Sequence, residues 1–154
     1  MIRTIKSFDI KSKNILLRVD FNVPMNKRGV RNNFRIKTAL PTIKSCIEGG
    51  ASITIMSHLG RPNGSPSEKF SLMLVGEELA KLLEMPIKFS EDCISSDSID
   101  TSIGLKPGEI HLLENLRFHN EEIENDKEFS RILSRHGHIY INDAFGTAHR
   151  SHAS

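Results

Sequence analysis

Arginine, histidine, aspartate and asparagine recur in this chain just past short runs of Ile, Val and Leu. The first run finishes Arg18-Val19-Asp20-Phe21-Asn22, and a period of two puts Asp20 and Asn22 on one side with Val19, Phe21 and Val23 on the other. A second run leads into His58-Leu59-Gly60-Arg61-Pro62, a later one into Asn115-Leu116-Arg117-Phe118-His119, and the last into Asp143 and, a little further on, His149-Arg150. A guanidinium fork donates two parallel hydrogen bonds to carboxylate or phosphate oxygens, so Arg61, Arg117 and Arg150 brought together would suit a small, multiply anionic ligand. Asp20 and Asn22 add a carboxylate and an amide, groups that recognise hydroxyls. The combination points to a phosphorylated hydroxy acid rather than to inorganic phosphate. Neither GxxxxGK[ST] nor GxGxxG occurs, so the chain carries no recognised loop for holding a nucleotide.

Each of these residues also has an ordinary use. Arg117 suits a surface ion pair, Asp20 and Asn22 suit a turn after a strand, and His58 with Arg61 can simply open a loop at Gly60. His119, beside Glu121 and Glu122, suits a solvated helix entry. His149 and His152 lie three apart but have no companion Cys or carboxylate at ligand spacing, so no metal site is expected.

For the strand-end residues to meet, the runs before them must lie side by side. Asn14 to Phe21, Ser52 to Ser57, Pro86 to Ser90, Glu109 to Glu114 and His138 to Asn142 read as strands. Leu72 to Glu84 reads as an amphipathic helix, with Leu72, Val75, Leu79, Leu82 and Leu83 on one side and Glu77 four residues before Lys81 on the other. Another helix is expected from about Asp126 to Arg135, capped by Asn125 or Asp126, with Phe129, Ile132 and Leu133 inward and Gly137 ending it. Around Asn33 to Glu48, Pro41 would break one continuous helix, and two pieces are expected. Asn63 to Lys69 and Ser95 to Gly108 read as exposed loops. Strands alternating with helices imply an α/β fold: a three-layer, doubly wound, Rossmann-like parallel sheet with helices on both faces. No linker divides residues 1–154. In such a sheet, ligands bind outside the carboxyl ends of the strands, where the arginines fall.

Composition narrows the partners. Lys and Arg number 21 against 19 Asp and Glu, a net charge of +2 that gives no general attraction for nucleic acid, and aromatic residues at 6% form no stacking stripe. Cys46 and Cys93 form no CxxC pair and read as buried thiols in a reducing, cytoplasmic setting. No apolar run approaches the roughly 18 residues of a membrane span.

The residues resemble those of a known family, phosphoglycerate kinase. The matching strings are Leu17-Arg18-Val19-Asp20-Phe21-Asn22-Val23-Pro24, Arg35-Ile36 followed by Leu40-Pro41-Thr42-Ile43, and Ser57-His58-Leu59-Gly60-Arg61-Pro62. Two more follow: Leu113-Glu114-Asn115-Leu116-Arg117-Phe118-His119 and Asn142-Asp143-Ala144-Phe145-Gly146-Thr147-Ala148-His149-Arg150. They keep the family's order and near-family spacing over almost the whole chain. The chain departs from the pattern at Asn32-Asn33-Phe34, where acidic residues and a Thr or Ser are usual, and at Ser151, where Ala is usual.

The resemblance implies a two-lobed, monomeric, cytoplasmic enzyme of glycolysis that moves a phosphoryl group between 1,3-bisphosphoglycerate and ADP, giving 3-phosphoglycerate and ATP. In that reading this lobe holds the 3-phosphoglycerate. Asp20 and Asn22 would contact its carboxylate and hydroxyl end. His58, Leu59, Gly60, Arg61, Arg117 and Arg150 would form the turn and basic patch around its phosphate. Arg35 would be the catalytic arginine beside the transferring group. The match stops at Ser154, so Mg2+ with ATP or ADP is expected on a nucleotide-binding lobe that this chain lacks, with no cofactor in the chain itself and no activity from it alone. The rival reading is a stand-alone, non-catalytic module that binds a phosphorylated metabolite.

Overall fold

The structure, a computed structural model, describes residues 9–26, 29–60, 68–119 and 127–143. Five strands form one sheet: β1 (Asn14–Val19), β4 (Ser52–Met56), β5 (Lys88–Ser90), β6 (Ile110–Leu113) and β7 (Ile139–Asp143). Their order is β5-β6-β4-β1-β7 and every neighbouring pair is parallel. A short antiparallel hairpin, β2 (Met25–Asn26) with β3 (Gly29–Val30), follows β1 and was not anticipated from the sequence. Helices α1 (Phe34–Glu48), α2 (Met73–Leu83), α3 (Ser96–Ile103) and α4 (Lys127–Leu133) connect the strands.

Both sides of the sheet are covered, and each carries buried apolar residues. Ile15, Leu17 and Val19 of β1 point with Ile53, Ile55, Ile110 and Leu112 into one core, closed by Ile36, Ala39, Ile43 and Cys46 of α1 and by Val75 and Leu79 of α2. Leu16, Met56 and Leu113, one position out of phase, meet Phe129 and Leu133 of α4 on the opposite side. Ile15 lies opposite Ile53 and Leu17 opposite Ile55, so the period of two is in step across neighbouring strands. Each fully buried Ile or Leu contributes about 1.5–3 kcal/mol by leaving water. This face-by-face division makes the three layers expected of the α/β reading.

Two expectations for the helices fail. Residues 34–48 form a single helix with Pro41 inside it, not two pieces. An interior proline costs about 3 kcal/mol. Here the Ile36, Ala39, Ile43 and Cys46 stripe, all buried, packs the segment on both sides of Pro41 against the same core and outweighs that cost. Residues 96–103, read as loop, form α3: Ser95 caps it by accepting a hydrogen bond from the Ser98 amide at 3.1 Å, and its buried positions are Ser98, Ile99 and Ser102. Serines on the inner face hide the apolar period on which the sequence reading relied. The helix near residue 130 begins at Lys127 and passes into a 3-10 turn, Ser134–His136, that ends at Gly137. The caps proposed for it, Asn125 and Asp126, lie outside the described residues, as do residues 63–67 of the loop expected at Asn63 to Lys69, whose last two residues fall in a 3-10 turn, Glu68–Phe70.

The serines have partners. Thr54 of β4 donates to Ser102 Oγ at 2.9 Å, and that oxygen also lies 3.0 Å from His111 Nδ1 and 2.6 Å from His136 Nδ1. Ser90 Oγ meets His111 Nε2 at 2.6 Å, and His136 Nε2 meets the Cys93 carbonyl at 2.7 Å. Two buried imidazoles thus join β5, β6, α3 and the turn after α4.

Candidate functional site

The carboxyl ends of β1, β4 and β6 lie next to one another, and the segments that leave them are tied together by side chains. Beyond Val19 the backbone keeps its alternation: Phe21 and Val23 are buried while Asp20 and Asn22 are partly exposed. The Asn22 amide oxygen accepts from the Gly60 N–H at 2.9 Å, and Ser57 Oγ accepts from the Phe21 N–H at 3.0 Å. These two bonds hold the turn after β4 against the exit of β1.

Gly60 is required at that turn. Its φ is +63°, and a Cβ there would sit 2.3 Å from the Phe70 ring. A side chain would meet both a disfavoured backbone region and a packed aromatic.

Arg35, in the first turn of α1, reaches across to the end of β1. Its Nη1 donates to Asp20 Oδ1 at 3.1 Å and to the Asn22 carbonyl at 2.9 Å. Among the described residues its Nε and Nη2 make no hydrogen bond, so a pair of donors remains for an oxyanion. The side chains of Arg35 and Asp20 are 50% and 26% exposed, and an ion pair so open to water contributes about 0–1 kcal/mol. Arg35 is therefore cheaply redirected. Asn22, Val23, Pro24, Asn32, Phe34 and Arg35 line a concavity of about 440 Å³ beside this pair.

Arg117 is not on the surface. It is 6% exposed, in the 3-10 turn Leu116–Phe118 after β6, and its Nη1 approaches the Gly60 carbonyl at 3.5 Å. The surface position expected of a solvated arginine is thus not found: the guanidinium is buried beside the turn after β4. His58 is also buried, with Nδ1 3.1 Å from Arg18 Nη2. A guanidinium can only donate, so Nδ1 accepts and the ring proton belongs on Nε2. Leu59 is buried and fixed through its backbone. Arg61 and Arg150 lie outside the described residues. The structure therefore brings Asp20, Asn22, Arg35, Leu59, Gly60 and Arg117 to one edge, with His58 just beneath it.

Sequence reasoning overlooked the residue that organises this edge. Asn115, 1% exposed, donates to the Leu59 carbonyl at 2.7 Å and the Phe70 carbonyl at 2.9 Å, and accepts from the Leu59 and Arg117 N–H groups at 3.2 and 3.0 Å. One amide thus satisfies four backbone groups in three segments. Beside it, Glu114 accepts from the Leu72 and Asn115 N–H groups, both at 2.8 Å, and from Ser71 Oγ at 2.7 Å, holding the start of α2. Asn115 stands directly past a strand, which was the available signal, but an uncharged amide reads there as a turn former. In the core, burial pushes the Cys46 thiol up to about 11, with the Asp143 charge adding to the effect, so this cysteine stays protonated and unreactive. Burial likewise raises the Asp143 carboxyl at the end of β7, against a lowering hydrogen bond with Thr42.

Residues 5–154 match the family model described as phosphoglycerate kinase. Phosphoglycerate kinase from Chlorobium limicola is 47% identical over 153 residues, and that from Borrelia hermsii is 46% identical over 153. Each alignment takes in 99% of this chain but only 38% and 39% of the relative's length. Among solved structures, the phosphoglycerate kinases of Coxiella burnetii and Pyrococcus horikoshii both superpose with a TM-score of 0.88, at 36% and 35% identity. They match 97% and 99% of this chain and 37% and 39% of their own.

Proposed function

Because the chain belongs to the phosphoglycerate kinase family, we propose that it supplies the 3-phosphoglycerate site of an enzyme that moves a phosphoryl group between 1,3-bisphosphoglycerate and ADP. The observation that carries this reading is Arg35, poised between Asp20 and the Asn22 carbonyl at the mouth of an open concavity, with spare guanidinium donors and a weak ion pair to give up. In this reading Asp20 and Asn22 bind the hydroxyl and carboxylate end of the acid. The Leu59-Gly60 turn, held by Asn115 and backed by Arg117 and His58, presents backbone and cationic groups to the phosphate, together with Arg61 and Arg150.

The chemistry needs no general base. The attacking oxygen, on a carboxylate in one direction and a phosphate in the other, is already ionised. Phosphoryl transfer asks the protein for positioning and for a fixed cation beside the moving group's equatorial oxygens, and Arg35 is placed to be that cation. Bound Mg2+ with ATP or ADP would supply the donor or acceptor nucleotide and neutralise its phosphates. The partial coverage of the relatives, 38% and 39% of their length, supports assigning the nucleotide to the part of the family that this chain does not span.

A calorimetric titration of the chain with 3-phosphoglycerate at low salt tests the assignment. Saturable binding, weakened strongly in Arg61→Ala and little in Arg35→Ala, is expected, because Arg35 serves the transferring group. A cooperatively melting chain that takes up no 3-phosphoglycerate would oppose it.

A further inference from the structure

Apart from the strand-end site, the described residues hold one place where donors of three chemical kinds converge. Asp92 and Cys93 follow β5, and His119 follows the 3-10 turn after β6, on the side of the sheet that carries α4. One carboxylate oxygen, the Cys93 sulfur and one imidazole nitrogen lie within 4.8 Å of one another. We propose that Asp92, Cys93 and His119 form a binding site for a thiophilic divalent cation, Zn2+ by preference.

The donor set selects the metal. A thiolate, an imidazole and a carboxylate are the ligands Zn2+ takes, whereas Mg2+ and Ca2+ want oxygen alone. Two of the three would be anionic when bound, so the site neutralises the ion. Zn2+ bonds of about 2.0–2.3 Å in a tetrahedron place ligand atoms roughly 3.3–3.8 Å apart. His119 Nε2 and Asp92 Oδ1, now hydrogen-bonded at 2.7 Å, need to part by only about half an ångström to reach that spacing.

The frame around the donors is rigid. The Cys93 N–H donates to Asp92 Oδ1 at 2.7 Å, its carbonyl meets the buried His136 Nε2 at 2.7 Å, and Cys93 itself is fully buried. The His119 ring packs against Phe129 of α4, centroids 5.4 Å apart, which gives the site an apolar wall. Asp92 and His119 remain 39% and 25% exposed, so an ion can enter from their side. On binding, the Cys93 thiol releases its proton to solvent, the His119 proton moves to Nδ1, and the cation replaces the His119–Asp92 hydrogen bond. Three protein ligands leave a fourth position for water, the arrangement of an exchangeable rather than a closed structural site.

Titration with Co2+, followed by competition with Zn2+, tests this directly. A thiolate-to-cobalt charge-transfer band saturating at one equivalent is expected, abolished in Cys93→Ser, retained in Cys46→Ser, and unaffected by excess Mg2+. Asp92→Asn and His119→Gln, both at partly exposed positions and checked for an unchanged melt, should weaken Zn2+ at least about tenfold. No band, a band that survives Cys93→Ser, or Zn2+ affinity unchanged in both conservative variants would overturn the proposal. So would binding that is lost only when His149 and His152 are replaced.

Discussion

Acidification should weaken this fold above the ordinary carboxylate range, because of the imidazole pair buried between β6, α3 and the turn after α4. The Cys93 carbonyl can only accept, so His136 carries its proton on Nε2 and its Nδ1 accepts from the Ser102 hydroxyl. Ser102 has then spent its only proton, and His111 must donate to it from Nδ1 while accepting from Ser90 at Nε2. Both rings are neutral in this arrangement. Burial, then the neighbouring His136 and Lys88, holds His111 down to about 4 from 6.5, and burial lowers His136 as well. The unfolded chain binds a proton at His111 below 6.5 and the folded chain does not until about 4. The stability present above pH 6.5 is therefore lost as the pH falls through that window. From this interval the fold is about 3 kcal/mol less stable below pH 4 than at neutrality, and about 2 kcal/mol of that is gone by pH 5. A loss of that size lowers the melting temperature by roughly 4–8 °C. The Asp92 carboxyl, held below its ordinary 3.8 by the His119 hydrogen bond, stays ionised in this range and does not confuse it. Denaturant melts of the chain and of His111→Asn at pH 7 and pH 5 provide the assay. The variant should be less stable at pH 7 yet show a clearly smaller loss on acidification. An equal loss in both proteins, or a His111 imidazole that titrates near 6.5 by NMR, would refute the reasoning.

Two substitutions probe the strand-end frame. Gly60→Ala forces a left-handed alanine and a Cβ onto the Phe70 ring, and should cost about 2–4 kcal/mol in urea melts together with any affinity for 3-phosphoglycerate. Asn115→Ala abandons four backbone partners, three of them in buried bonds, at about 1–3 kcal/mol for each buried group where no water replaces the amide, so a loss of several kcal/mol and a loosened Leu59-Gly60 turn are expected. Faster amide exchange at Leu59 and Arg117 would register that loosening, and unchanged exchange would count against it.

The sheet was legible because strands covered on both faces write themselves as short apolar runs, and β1, β4 and β6 coincide with three of them. The start of α2 was legible too, since Val75 and Leu79 keep a helical period. Legibility failed where something other than apolar periodicity decides. Pro41 is overruled by tertiary burial on both sides of it, and α3 buries serines that bond to histidines. The site divides in the same way. Charged residues past strand ends, Asp20 and Arg117, stand out in a nearly neutral chain, but nothing local says that Arg117 is buried, and Arg35, inside α1, was indicated only by the family resemblance. Asn115 and Ser57 act through bonds to the backbone of distant segments, and such bonds leave no trace in composition. The Asp92, Cys93 and His119 grouping joins residues 26 apart that only the β5–β6 pairing brings together.

Whether the carboxyl edge of the sheet receives the substrate is best settled by amide-resolved NMR of the chain during addition of 3-phosphoglycerate. Shifts should concentrate at Asn22, Arg35, Gly60 and Arg117 and saturate together, with Ser12, Gly50 and Gly108 at the opposite edge unmoved. Saturating shifts at that opposite edge, or none at Gly60 and Asn22 in a folded chain, would contradict the site described here.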